Sequence, residues 1–379
     1  MRKSTGLLAA AAALTITTGA LAAPALATPG EASSARQDHR ATQRALDAAV
    51  RDGVPGATAQ AVVNGRTWNG TSGDRGARDH YRVGSLTKTF VATVLLQLEA
   101  EGKLSLDDTL DHWLPGLVQG NGYDPTKITI RQLLNHTSGI FNITEDEGFR
   151  RLVFLKEGFL AHRYDTWTPT RMVRIATTHK PDFAPGKGWH YSNTNYLLAG
   201  MVIQKVTGHT YGDEIRSRVI NPLHLKGTSV PGTSSSVPRP ASRAYSKLTR
   251  DGSGDPVDVT ELNPSMAGSA GEVISTSKDL NTFYSALLRG KLLPPRQLTE
   301  MKTTVSTGDD DPDSRYGLAL MELKLPCGGT VWGHDGGIHG SSTLALTTED
   351  GRHTLAFNFN GDWAGDGNAV GLAEFCPKA

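Results

Sequence analysis

The sequence predicts an α/β (α+β) fold of two lobes, an antiparallel sheet flanked by helices and an all-helical lobe inserted into it. Three observations carry this. One β-hairpin stands early in the chain, a second stands late, and the long middle has helical spacing and little strand character. Hairpins at the two ends bury their apolar faces most simply in one shared sheet, which leaves the middle as the second lobe. A ligand cleft is expected where the lobes meet.

The elements follow in order. Arg2 and Lys3 precede the apolar run Leu7–Ala23, and Ala25-Leu26-Ala27 is a small-residue cleavage site. Residues 1–27 therefore read as a secretory signal peptide, and the protein as secreted. A membrane anchor needs a longer unbroken run, which Thr15, Thr17, Thr18 and Pro24 interrupt. Residues 28–37 are small and polar, and read as a disordered leader. The folded domain is expected over 38–376, with its α/β lobe at about 38–105 and 265–376 and its helical lobe at about 106–264.

Ala41, Leu46, Ala49 and Val50 place a helix over Asp38–Gly53. Gly56–Val63 and Arg66–Gly70 are strands joined at Asn64-Gly65, a type I′ turn signal. From Leu86 to Glu101, Phe90, Val91, Val94, Leu95 and Leu98 recur at helical spacing, and Gly102 caps the end. Asp107-Asp108 is expected to cap a turn over Leu110–Leu114. Further helices are predicted over Thr129–Asn135, Phe149–Phe159, Pro169–Thr178, Asn193–Val206 and Asp213–Val219. Late strands are predicted at Thr330–Gly333, Ser342–Thr348 and His353–Asn360, then a helix over Asn368–Phe375.

Lys and Arg number 39 against 38 Asp and Glu, so no charge excess points to nucleic acid or to a membrane surface. Cys327 and Cys376 are the two cysteines. In a secreted chain an even pair reads as one disulfide, with a catalytic cysteine as the rival reading.

The chemistry centres on Val83-Gly84-Ser85-Leu86-Thr87-Lys88. On a helix, Ser85 and Lys88 share a face about 5–6 Å apart at Cβ. A serine hydroxyl needs a neighbouring base to become a nucleophile, and a lysine serves if burial lowers its pKa. A helix N-terminus adds free N–H donors beside the serine.

Two further stretches stand behind this S-x-x-K match: Tyr191-Ser192-Asn193 before a helix, and His334-Asp335-Gly336-Gly337 at a strand end. In this order the trio resembles the serine β-lactamases and penicillin-binding DD-peptidases. The Tyr191-x-Asn193 motif looks like the class C branch. A histidine opening the third motif looks like the secreted, soluble D-alanyl-D-alanine carboxypeptidases. Stretches at 90–104, 130–139, 191–208, 269–288 and 316–320 share the likeness, as does the Cys327/Cys376 pair. It spans essentially the whole chain after the leader.

The resemblance implies roles. Ser85 is the nucleophile, and Lys88 orients it or takes its proton. Tyr191 shuttles a proton to the leaving group, so either Lys88 or Tyr191 can be the base. Asn193 holds the acyl-side amide, His334 supports Tyr191, and the backbone N–H groups of Ser85 and Gly337 form the oxyanion hole. The implied function is a secreted serine hydrolase of D-Ala-D-Ala carboxypeptidase type. It would act through an acyl-serine on peptide, ester or β-lactam substrates, peptidoglycan stem peptides included. It would be a monomer without cofactor or metal, and would bind neither nucleic acid nor membrane.

The sequence departs from that family where a terminal carboxylate is bound. Met321 stands at the family's arginine, Asp335 and Gly337 stand at its third-motif threonines, and Met266 replaces a cleft tryptophan. With Gly336, these positions line the expected substrate site. An ionised Asp335 repels a carboxylate. An amidase, esterase or D-stereospecific endopeptidase is therefore the alternative, and a penicillin-binding protein with little turnover is another. Rival motifs are weaker. Ala267–Gly271 approximates a nucleophile elbow around Ser269. Asp309, Asp311 and Asp313 mimic a calcium loop, and His334, Asp335 and His339 a zinc set. Gly365–Gly371 is a poor dinucleotide match.

Overall fold

Eight strands form one antiparallel sheet in the computed structural model, which describes residues 38–308 and 313–376. The predicted signal peptide, the leader through residue 37, and Asp309 and Asp311 of the calcium reading lie outside the described residues. Numbered along the chain, the strands are β1 (Gly56–Val63), β2 (Arg66–Gly73), β3 (Val305–Ser306), β4 (Ser314–Tyr316), β5 (Met321–Lys324), β6 (Thr330–Ile338), β7 (Ser341–Thr348) and β8 (His353–Phe359). Their order across the sheet is β2-β1-β8-β7-β6-β5-β4-β3. The early hairpin thus pairs directly with the late one, from Ala57 against Phe359 to Val63 against His353.

Helices cover both faces of this sheet. Leu46 and Ala49 of α1 (Arg40–Arg51) and Val370 of the C-terminal helix (Gly367–Phe375) pack over Ala57, Ala59, Ala61, Leu344, Leu346, Leu355, Phe357 and Phe359. The alternate residues Trp332, Ala345 and Ala356 face the larger core. Each fully buried Leu or Phe contributes about 1.5–3 kcal/mol. That core contains α2 (Thr87–Ala100) and α3 (Asn193–Thr207), both apolar nearly all round and hence central. Their N-terminal ends carry Ser85 and Tyr191. From His39 onward the described residues form one compact unit.

Several local expectations change. Phe149–Phe159 is two helices, Glu147–Val153 and Lys156–His162, the first capped by Asp146 accepting from the Phe149 N–H. Thr109, not Asp107 or Asp108, caps the Leu110–Trp113 turn. Asp108 instead accepts from the Ser105 N–H and the Trp113 indole. The Asp213–Val219 reading becomes a helix at Tyr211–Ile215 continued by a wider π turn over Arg216–Ile220. The third motif lies inside a strand, because β6 runs past Gly333 to Ile338 and His334 pairs with Ala345. Cys327 and Cys376 are joined, tying the β5–β6 turn to the end of the C-terminal helix.

Candidate active site

Ser85 sits in a single 3-10 turn, Gly84–Leu86, that leads directly into α2. The turn is held from two sides. The Thr87 hydroxyl donates to the Gly84 carbonyl at 2.7 Å and accepts from the Val273 N–H at 3.0 Å. On the other side β6 lies against the turn backbone to backbone. Gly84 has φ +56°, and a Cβ there would stand 2.8 Å from the Gly337 nitrogen. A Cβ on Gly336 would stand 2.9 Å from the Ser85 nitrogen. Glycine at both positions is what lets the turn and the strand touch. Gly337, the proposed oxyanion partner, faces open space instead.

Lys88 is fully buried one turn along α2. Its Nζ donates to Ser85 Oγ at 3.0 Å, to Asn193 Oδ1 at 2.8 Å and to the Ala270 carbonyl at 2.8 Å. Burial drives its pKa down to about 7, partly offset by the Asp335 carboxylate. In the neutral form that burial favours, Nζ keeps two N–H donors for Asn193 Oδ1 and the Ala270 carbonyl, and its lone pair accepts from the Ser85 hydroxyl.

The Tyr191 ring lies 4.8 Å from Lys88 Nζ. Burial pushes its phenol well above the ordinary range and Asp335 adds to this, while a hydrogen bond with Ser85 opposes it. Tyr191 therefore stays a neutral phenol beside the Ser85 hydroxyl. Asn193 is already engaged on both ends of its amide. Its oxygen takes the Lys88 proton donor, and its nitrogen faces Asn142 Oδ1 and Thr144 Oγ1, each at 3.3 Å.

His334 is wholly buried, and both of its ring nitrogens are engaged by groups other than Tyr191. Its Nε2 meets the Tyr316 hydroxyl at 2.8 Å, and its Nδ1 meets the Asp335 carbonyl. Burial holds its pKa down, Asp335 opposes this, and the Lys88 charge lowers it further. The neighbouring Asp335 side chain is 68% exposed. Met321 lies half-buried on β5, opposite Gly333.

The structure thus gathers Ser85, Lys88, Tyr191 and Asn193 at one point, with His334 behind Tyr316. Sequence reasoning missed Tyr316, the Ala270 carbonyl, Asn142 and His136. Of these, Tyr316, Ala270 and His136 stood in quoted stretches without a role, and Asn142 stood in none. Two of the rival motifs dissolve. Ser269 is buried and donates to the Tyr196 carbonyl, so it is no elbow nucleophile. His339 is stacked between Phe154 and Phe159 with Nε2 on the Val153 carbonyl, away from zinc geometry with His334. Among the described residues no cluster of His, Cys, Asp and Glu suits a metal ion.

A serine with a buried amine at its oxygen, a phenol alongside and backbone donors behind is a centre for acyl transfer to serine. The family model described as Beta-lactamase matches residues 39–370, and the chain belongs to that family. It is 61% identical to a D-stereospecific amidohydrolase from Streptomyces sp., over 90% of this chain and 100% of that one, with TM-score 0.88. It is 30% identical to the D-amino acid amidase of Ochrobactrum anthropi SV3, over 86% of this chain and 92% of that one, with TM-score 0.72. It is also 27% identical to penicillin-binding protein 4* of Bacillus subtilis (strain 168), covering 74% of this chain and 60% of that protein. The chain spans about three fifths of the length of the curated relatives it matches.

Proposed function

We propose that this protein is a D-stereospecific amidohydrolase that works through an acyl-serine and has no need of a free carboxylate on its leaving group. The observation that carries this is Asp335, an exposed acid on the strand beside the nucleophile. It stands where a carboxypeptidase presents hydroxyls to a terminal carboxylate, and Met321 offers no cation to replace them. The likeness to the Streptomyces amidohydrolase and to the Ochrobactrum amidase supports the same reading over that of a carboxypeptidase.

In this reading Ser85 Oγ attacks the substrate carbonyl and its proton passes to neutral Lys88 Nζ. The N–H groups of Ser85 and Gly337 receive the oxyanion. As the carbon–nitrogen bond breaks, the leaving amine takes a proton through the Tyr191 hydroxyl. Water then repeats the sequence on the ester and frees the acid. Secretion belongs to the same proposal, because a disulfide suits an oxidising compartment.

The test compares D-amino acid amides, their L-enantiomers, and an N-acyl-D-Ala-D-Ala peptide as free acid and as C-terminal amide. Amide hydrolysis with D preference is expected, with the peptide amide cleaved faster than the free acid. Faster cleavage of the free acid would restore the carboxypeptidase reading. The name of the Bacillus relative favours one other outcome, a penicillin adduct that persists. Intact mass after penicillin treatment reads its lifetime on Ser85.

A further inference from the structure

His136 is wholly buried and belongs to none of the three motifs. It follows the short helix Ile130–Leu134 and has φ +63°, a left-handed conformation that a residue other than glycine adopts at a cost. Three contacts converge on the segment that carries Tyr191. The His136 carbonyl accepts from the His190 N–H at 3.1 Å. Its Nδ1 accepts from the Ser192 N–H at 3.1 Å. Its ring lies 4.3 Å from the Tyr191 ring, tilted by 37°. The residues on either side of Tyr191 are thus both bonded to His136, and the imidazole packs against the phenol between them. Asn195, one turn into α3, adds its Nδ2 at 3.2 Å from the same Nδ1.

The acceptor role of Nδ1 fixes the tautomer. With backbone and amide donors both aimed at Nδ1, the proton sits on Nε2, which has no hydrogen-bond partner. An imidazolium would set N–H against N–H. Burial and the charges of Lys88, His334 and His190 also hold the ring neutral. His136 is therefore a fixed acceptor and not a proton carrier.

We infer that His136 is a positioning residue for Tyr191, clamping the 190–192 segment so that the phenol stays over Lys88 beside Ser85. The strained backbone has a reason in this picture, because relaxing it would withdraw the imidazole and the carbonyl together. The inference rests on the acyl-serine reading above.

Two substitutions separate the clamp from simple packing. In His136→Asn the Oδ1 occupies the place of Nδ1, and asparagine accepts the left-handed backbone. His136→Ala removes the acceptor and the ring. The rate of Ser85 acylation by penicillin is read by intact mass in the full chain, with circular dichroism and thermal unfolding as controls of folding. His136→Ala is expected to slow acylation about 10²-fold, the usual result of misplacing a reacting group by about 1 Å. His136→Asn should recover most of that rate. In a Tyr191→Phe background, His136→Ala should add at most about twofold, because both changes remove the same proton path. Effects that multiply in the double variant would overturn the inference. So would slowed acylation together with a crystal structure of His136→Ala, or of His136→Asn if the alanine variant does not fold, in which the Tyr191 ring still lies 4.8 Å from Lys88 Nζ. If the wild type is acylated but hydrolyses no amide, the proposed function fails while this ratio still stands.

Discussion

The two sides of the Ser85 cleft are built differently. On the helical side, Lys88 is buried under three hydrogen bonds, and Asn193 has both ends of its amide occupied. On the sheet side, β6 presents an exposed Asp335 and a Gly337 with open space beyond it. The packed side holds groups whose positions the reaction requires. In the proposed reaction the open side holds the groups that a substrate meets. Attack and selection then fall to opposite walls, which are linked through the Asp335 charge that raises the Lys88 pKa.

The strongest way to break this division is at Lys88. Lys88→Met keeps the volume and removes the amine, so kcat should fall by about 10²–10⁴-fold, and the rise of kcat/KM through about pH 7 should vanish. The same residue shapes stability. Its folded pKa lies below that of the unfolded chain, so the unfolded chain holds the extra proton from about pH 7 up to the ordinary lysine range. The Lys88 contribution to stability therefore rises with pH across that window. Urea unfolding of wild type and variant at pH 7 and pH 9 checks the slope. An unchanged slope in Lys88→Met would mean that another group titrates.

A smaller effect is expected on the open wall. Asp335→Asn removes a carboxylate that raises the Lys88 pKa, so the acidic limb of the kcat/KM profile should move to lower pH. The ratio of free-acid to amide cleavage should rise about tenfold, equivalent to about 1.4 kcal/mol. A ratio that stays constant would separate Asp335 from substrate selection.

The smallest effect on activity is expected from the disulfide, which lies at the far end of β6 from the cleft. Replacing Cys327 and Cys376 together by Ser should lower stability by up to about 4 kcal/mol in the loop-entropy account. The ratio of amide to acid cleavage should stay within about twofold, as expected for distant sites. Calorimetry and the substrate comparison give the two numbers. A changed ratio would show that the open wall depends on the strand's remote end.

The sequence revealed what rested on side chains in repeating or motif order. Ser85, Lys88, Tyr191 and Asn193 stood in short patterns at helix starts, and the two hairpins announced the sheet. The rest had no such signal. Val305–Ser306 and Ser314–Tyr316 are too short for a period of two to show. The Ala270 carbonyl that holds Lys88 is a backbone group, which every residue has. His136 follows a helix in a place where a polar cap is ordinary, and its left-handed backbone leaves no mark on residue type. The end of β6 was hidden because Gly336 and Gly337 have no side chains to show a period of two, and Gly336 serves a close backbone contact instead.

That contact has a consequence for how such a protein can vary. The path along which Ser85 meets a carbonyl is set where Gly84 and Gly336 bring two main chains together. No side chain stands there to be lengthened or shortened by degrees. A first methyl group at either position is already a collision, so the geometry of attack has no intermediate settings. At 335 and 337, by contrast, a new side chain enters empty space and the nucleophile is left where it was.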